Sequence, residues 1–125
     1  MTEHSSLPRL SIASLGGTVS MQAQAVGCGV TPTLGCEQQL LQVPQLREMA
    51  QLNVASLCLV PSASLDFATL LDVLAWARCE VERGAQALVV SQGTDSLEES
   101  AYFLDLLWPF DAPLVMTGAM RSASQ

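Results

Sequence analysis

Four short runs of apolar or β-favouring residues, separated by longer amphipathic stretches, constrain the fold of this chain more than any other feature. Each run has the length of a strand and is too short for a buried helix. Buried strands that alternate with helices indicate a parallel sheet covered on both faces, and right-handed crossovers make it a doubly wound α/β layer. The runs cover residues 10–14, 55–60, 85–91 and 113–117.

The clearest helical pattern covers residues 66–83. Asp66 is suited to cap its first turn and Gly84 to end it. Apolar residues recur between them at helical spacing, which predicts one buried stripe. The stripe consists of Leu70, Leu74, Ala77 and Val81.

A second stripe follows the third strand run. Ser96 and Glu99 have the spacing of a capping box, and Pro109 ends the helix. The stripe consists of Leu97, Ala101, Leu104 and Trp108. Further upstream, residues 37–42 and a turn from Pro44 to about Ala50 are predicted to be helical, and residues 19–35 to form a long loop.

Composition excludes several classes of function. The chain has 125 residues and a net charge of −7. Its five basic residues are scattered arginines, so no basic patch exists for nucleic acid. No apolar run approaches the roughly 20 residues of a membrane span, and no signal peptide is visible, so a cytoplasmic location is expected.

The cysteines and the histidine of the chain do not indicate a metal site. The four cysteines form no Cys-x-x-Cys pair, and the only histidine, His4, lies in a predicted N-terminal tail of residues 1–8. We therefore expect reduced cysteines and no zinc site. Residues 9–125 are expected to form the α/β domain.

Three segments follow predicted strands and are the places to look for chemistry, because ligands of such sheets bind beyond the carboxyl ends of the strands. They are residues 16–20, 61–66 and 92–96. Thr18 follows two glycines, which allow close approach of a ligand to the backbone. Thr94 and Asp95 precede a helix N-terminus, whose free N–H groups suit a carboxylate or an oxyanion. An ordinary turn at Thr18 and simple capping at Asp95 or Ser96 are the structural alternatives.

These segments also carry a resemblance to a known family. Leu15-Gly16-Gly17-Thr18-Val19 resembles the first signature of bacterial-type asparaginases, usually Thr-Gly-Gly-Thr-Ile. Residues 91–105, which begin Ser-Gln-Gly-Thr-Asp-Ser-Leu-Glu-Glu, closely resemble the second, usually His-Gly-Thr-Asp-Thr-Met-Glu-Glu. The resemblance runs from about Leu10 to the end of the chain, and the second signature is long and specific.

The resemblance implies an amidohydrolase that converts L-asparagine to L-aspartate and ammonia. By similarity, Thr18 is the nucleophile that forms an acyl-enzyme, and Thr94 is a second threonine that activates the water or the substrate amide. Asp95 holds the α-ammonium of the substrate, and Ser62 binds its α-carboxylate. The backbone N–H groups of Thr94 and Ala119 help to form the oxyanion hole.

The family also sets expectations about partners and cofactors. The resemblance implies a smaller C-terminal domain and a homotetramer for the complete enzyme, and no need for a metal or an organic cofactor. The partner implied is a small molecule, asparagine or glutamine, and not a nucleic acid or a membrane. A lysine that works with the second threonine is absent here, as is the smaller domain, so we expect a truncated chain that is inactive alone.

Other departures leave the activity open. Val30 aligns with the mobile tyrosine of the family, Ala63 with a glutamine that follows Ser62, and Gln92 with a histidine. A glutaminase-asparaginase and the amidase subunit of a tRNA amidotransferase remain alternatives. A non-catalytic amino-acid-binding or structural module is the alternative from another class.

Overall fold

The structure of the chain is a computed structural model, and it describes residues 7–15, 41, 43–57 and 65–118. Within these residues lie four strands and three helices. The strands are β1 (Arg9–Ser14), β2 (Gln51–Ser56), β3 (Ala87–Ser91) and β4 (Leu114–Thr117), and the helices are α1 (Leu46–Met49), α2 (Phe67–Glu82) and α3 (Leu97–Leu107). The predicted helix at 37–42, apart from Leu41 in a turn, and the predicted loop at 19–35 lie outside the described residues.

The four strands form one sheet in the order β2-β1-β3-β4, and every pair is parallel. The chain therefore builds outward from β1 in one direction and then, from β3, in the other. This is the doubly wound parallel arrangement that the alternating pattern predicts. The fold prediction is confirmed.

Strand β2 differs from its prediction. It begins at Gln51 instead of Ala55 and ends at Ser56, and residues 58–60 lie outside the described residues. Gln51 and Asn53 are exposed, whereas Leu52 and Val54 are partly buried. Exposed and buried residues alternate along an edge strand that has one face in solvent. The continuous apolar run in the sequence therefore overlaps only the end of β2.

Helix α2 begins as predicted at Asp66. The Asp66 carboxylate accepts hydrogen bonds from the backbone N–H and the hydroxyl of Thr69, both at 2.8 Å. The backbone hydrogen bond, followed by the hydroxyl, lowers the pKa of Asp66 from its usual value of 3.8. The helix ends before Gly84, whose φ of +105° is in the left-handed region that a C-terminal glycine adopts readily.

The buried face of α2 is wider than the predicted stripe. Leu70 and Ala77 are buried as expected, whereas Leu74 and Val81 are only partly buried. Val73 and Glu80 are also buried. The apolar spacing alone does not predict a buried carboxyl group at position 80, because a glutamate on a helix is usually exposed.

Helix α3 has Ser96 as its N-cap residue, but the Ser96 side chain makes no capping hydrogen bond. The predicted capping box is therefore wrong in this detail. The Ser96 hydroxyl instead lies 3.5 Å from Nε2 of Gln92. The apolar stripe is confirmed, with Leu104 buried and the other three members partly buried.

Helices pack on both faces of the sheet, as predicted. On one face, Ala13 and Val90 form a buried cluster with Val73 of α2 and Leu104 of α3. On the other face, Leu46 of α1 packs against Ile12. The two clusters alternate along β1 because successive strand residues point to opposite faces.

Candidate functional site

The reversal of strand order lies between β1 and β3. These strands are neighbours, and Ser14 at the end of β1 is paired with Ser91 at the end of β3. The pairing continues one residue further, because the Leu15 N–H donates to the Ser91 carbonyl at 2.8 Å. The segments that follow the two strands therefore start side by side, at the edge where doubly wound sheets bind ligands.

Thr94 and Asp95 lie at this edge, in the turn between β3 and α3. Thr94 is partly buried and Asp95 is exposed. The turn leads into the N-terminal turn of α3, where the positive end of the helix dipole favours an anion. A carboxylate at Asp95 adds a group that can bind an ammonium.

The other predicted site residues, Thr18, Ser62 and Ala119, lie outside the described residues. Thr18 follows Leu15 by three positions, and Ala119 follows Gly118 at the end of β4 directly. The structure therefore brings Thr94 and Asp95 to the predicted edge, and the roles of all five residues remain predictions.

Gln92 is a residue of this edge to which the sequence assigned no role. Its side chain is fully buried. Nε2 donates to the Gly93 carbonyl at 3.1 Å and lies 3.5 Å from the Ser96 hydroxyl. Within the described residues, its Oε1 has no hydrogen-bond partner. The amide thus spans the turn that carries Thr94 and Asp95.

Ser91 and Gly118 were also missed. The Ser91 hydroxyl is buried and has no partner among residues 7–15, 41, 43–57 and 65–118. At Gly118, an added Cβ would lie 2.7 Å from the Gln92 carbonyl oxygen and 3.2 Å from Cγ2 of Thr94. A polar pair after the apolar core of a strand, and a glycine after the next strand, were the available signals.

In the described part of the chain, no group of three His, Cys, Asp or Glu side chains is placed to hold a metal ion. The same residues include no helix long and apolar enough to cross a membrane.

Comparison with known proteins places this arrangement in a family. The family of asparaginase N-terminal domains matches residues 9–125. The chain belongs to the asparaginase family. The structure of a probable cytoplasmic L-asparaginase from Campylobacter jejuni superposes on this asparaginase-family chain with a TM-score of 0.84 at 26% identity, over 94% of this chain and 36% of that chain.

Two relatives of similar sequence have names that indicate different activities. A probable L-asparaginase of Deinococcus radiodurans is 37% identical over 120 residues, which are 96% of this chain and 35% of the relative. A glutamyl-tRNA(Gln) amidotransferase subunit of Methanosarcina mazei is 29% identical over 119 residues, which are 95% of this chain and 28% of the relative. The asparaginase-family chain thus spans about a third of the length of these relatives.

Proposed function

We propose that this chain supplies the threonine-bearing half of the active site of an L-asparaginase, which hydrolyses L-asparagine to L-aspartate and ammonia. Membership of the asparaginase family supports the reaction class. The observation that carries the proposal is the reversal of strand order between β1 and β3, with Thr94 and Asp95 beside it. The segment that carries Thr18 starts at the same edge, where β1 ends.

In the proposed reaction, the Thr18 hydroxyl attacks the carbonyl carbon of the side-chain amide. The C–N bond breaks, ammonia leaves with the proton, and an ester joins Thr18 to the aspartyl group. Water then cleaves the ester, with Thr94 orienting it. The backbone N–H groups of Thr94 and Ala119 stabilise the negative oxygen in both steps.

Two charged ends of the substrate determine its orientation in this proposal. Asp95 binds the α-ammonium, since it is an exposed carboxylate at the correct edge. Ser62 donates to the α-carboxylate. Holding both ends leaves the amide directed toward the hydroxyls, and such positioning contributes much of the rate of an enzyme of this type.

We also propose that the 125 residues alone do not complete a turnover. The chain contains no lysine, and a base or a charged group is needed to activate a threonine hydroxyl. The matched part is only 35% of the length of the Deinococcus radiodurans relative. The remaining catalytic group is expected from the rest of such a protein.

The similarity to the amidotransferase subunit supports a second candidate, an amidase that accepts glutamine. One extra methylene separates the two substrates, and pockets distinguish a single methylene by only about 10- to 200-fold. The ratio of kcat/KM for asparagine and glutamine therefore decides between them.

A chimera tests the proposal. Residues 9–125 replace the matching segment of the Deinococcus radiodurans relative, and ammonia release from both amides is measured. We expect hydrolysis by the chimera and none by the 125-residue chain. Thr18→Ala should abolish turnover, whereas Glu82→Gln, an exposed change in α2, should not. A folded chimera that binds L-aspartate without any turnover would instead support a non-catalytic binding module.

A further inference from the structure

Thr94 lies between two residues that have no part in the reaction proposed for this chain. Gln92 precedes it by two positions and is fully buried. Gly118 approaches it from the end of β4, and the two strands are joined there because the Gln92 N–H donates to the Thr117 carbonyl at 3.0 Å. Thr94 therefore follows a buried polar side chain on its own segment and lies beside the backbone at the end of the next strand.

The orientation of the Gln92 amide is fixed by chemistry. The atom facing the Gly93 carbonyl at 3.1 Å must be a donor, so it is Nε2 and not Oε1. The same nitrogen lies near the Ser96 hydroxyl on the far side of Thr94 and Asp95. One side chain thus holds both ends of the turn, and removing its donor leaves the buried Gly93 carbonyl without this hydrogen bond.

Gly118 affects the turn because it has no side chain. A methyl group at this position would lie 2.7 Å from the Gln92 carbonyl oxygen, a distance that real Cβ atoms essentially never show. It would also lie 3.2 Å from Cγ2 of Thr94. The carbonyl is backbone, so relief requires movement of the turn. The glycine is needed for this close approach and not for its backbone conformation, because Gly84 is the described glycine with a positive φ.

We propose that Gln92 and Gly118 are positioning residues that set the rotamer and the placement of Thr94. Gln92 holds the Gly93 carbonyl before Thr94 and lies 3.5 Å from the Ser96 hydroxyl after it, and Gly118 allows β4 to close against the Thr94 methyl group. Their importance for hydrolysis depends on the proposed role of Thr94. Their effect on the conformation of Thr94 does not.

Nuclear magnetic resonance on the 125-residue chain tests this inference. Three-bond couplings report the χ1 rotamer of Thr94 in the wild type, in Gly118→Ala and in Gln92→Met. We expect one rotamer in the wild type and a mixture in both variants. Gly84→Ala is the matched control, because its Cβ would lie 2.8 Å from Nη1 of Arg9 at the opposite edge of the sheet. It should lower stability and leave the Thr94 couplings unchanged.

Gln92→Glu separates positioning from general packing. The ionised carboxylate presents only acceptors to the Gly93 carbonyl, whereas the protonated acid regains a donor. The Thr94 couplings of this variant should therefore return toward the wild-type values as the pH falls. Unchanged couplings in Gly118→Ala and Gln92→Met, or equal changes in Gly84→Ala, would refute the inference.

A titration with L-aspartate examines the proposed function separately. If L-aspartate shifts the Thr94 and Asp95 resonances, its affinity should fall about fivefold in Gln92→Met, which corresponds to the loss of one neutral hydrogen bond. Equal affinities would count against a part for the Thr94 conformation in amino-acid binding, whereas the couplings decide whether Gln92 and Gly118 position Thr94. A wild-type chain with one Thr94 rotamer and no response to L-aspartate would support positioning while counting against amino-acid binding by this chain.

Discussion

Polar side chains are paired differently at the amino edge of the sheet, where the parallel strands begin, and at the carboxyl edge, where they end. At the amino edge, the buried Glu80 carboxyl accepts hydrogen bonds from the Ser11 hydroxyl at 2.9 Å and from the Asn53 side-chain amide at 2.6 Å. Nη1 of Arg9 donates to the Arg83 carbonyl at 2.6 Å and so caps the end of α2. These bonds hold a helix to two strands.

At the carboxyl edge, two buried polar atoms of the described residues are not paired within that part of the chain. The Ser91 hydroxyl and Oε1 of Gln92 have no partner among the described residues. An unsatisfied buried polar group costs about 1–3 kcal/mol, so a fold keeps such groups where another segment or a ligand uses them. The hydrogen bonds of the amino edge hold the fold together, whereas the site proposed for this chain lies at the carboxyl edge.

The largest effect should come from the carboxyl edge. In the chimera, Thr94→Ala should lower kcat by about 100-fold or more, because it removes the group proposed to orient the attacking water. Asp95→Asn should mainly raise KM, and Asp72→Asn, an equal charge change on an exposed part of α2, should alter neither. Steady-state rates of ammonia release measure all three, and an unchanged kcat in Thr94→Ala would remove this residue from the mechanism.

Glu80→Ala should have the largest effect on stability. It removes two hydrogen bonds to a carboxyl group and leaves the buried Ser11 hydroxyl without this partner, so the free energy of unfolding should fall by about 3 kcal/mol. Glu80→Gln keeps an acceptor oxygen and should cost less. Urea denaturation of both variants gives the values. A loss of L-aspartate binding by folded Glu80→Gln would show that the two edges are not independent.

A matched pair of buried serines sharpens the comparison. Ser11→Ala removes a hydrogen bond and should destabilise the chain by about 1–2 kcal/mol. Ser91→Ala removes a buried hydroxyl that has no described partner, so the free energy of unfolding should stay unchanged or rise by about 1 kcal/mol. Equal losses in the two variants would mean that the Ser91 hydroxyl is used in holding the fold.

Asp66 should give the smallest effect. Its lowered pKa means that ionised Asp66 stabilises the folded chain above the unfolded pKa of about 3.8, and that this contribution is lost as the pH falls through the lower folded value. Asp66→Asn should therefore remove a small part of the pH dependence of stability in this acidic range. Unfolding midpoints measured against pH, with Asp72→Asn as the control, will show the difference.

Much of this architecture was predictable because three of the strands coincide with short runs of apolar or β-favouring residues, and clear cap residues bound the longest helix. Strands β1, β3 and β4 lie close to their predicted bounds, and Asp66 and Gly84 delimit α2 as expected. The start of β2 was not predictable from apolar runs, since exposed residues alternate along it. Burial of Glu80 was equally hidden, because its partners come from two distant strands.

The site was predictable only where a turn signal marked it. Gly93-Thr94-Asp95 follows an apolar strand and precedes a helix, and the structure has it at the expected edge. The role proposed for Gln92 depends on its side chain reaching across the turn to Ser96. The role proposed for Gly118 depends on which strand lies beside β3. Neither spatial relationship is visible in a linear sequence.

The central position of β1 has a consequence for synthesis on the ribosome. The neighbour that completes the candidate site, β3, begins at Ala87, more than seventy residues after β1. Until that stretch leaves the exit tunnel, one side of β1 has no hydrogen-bonding partner, and pairing over such a sequence separation is slow. The nascent chain therefore has to keep the unpaired side of this strand from associating with other molecules while most of the domain is translated.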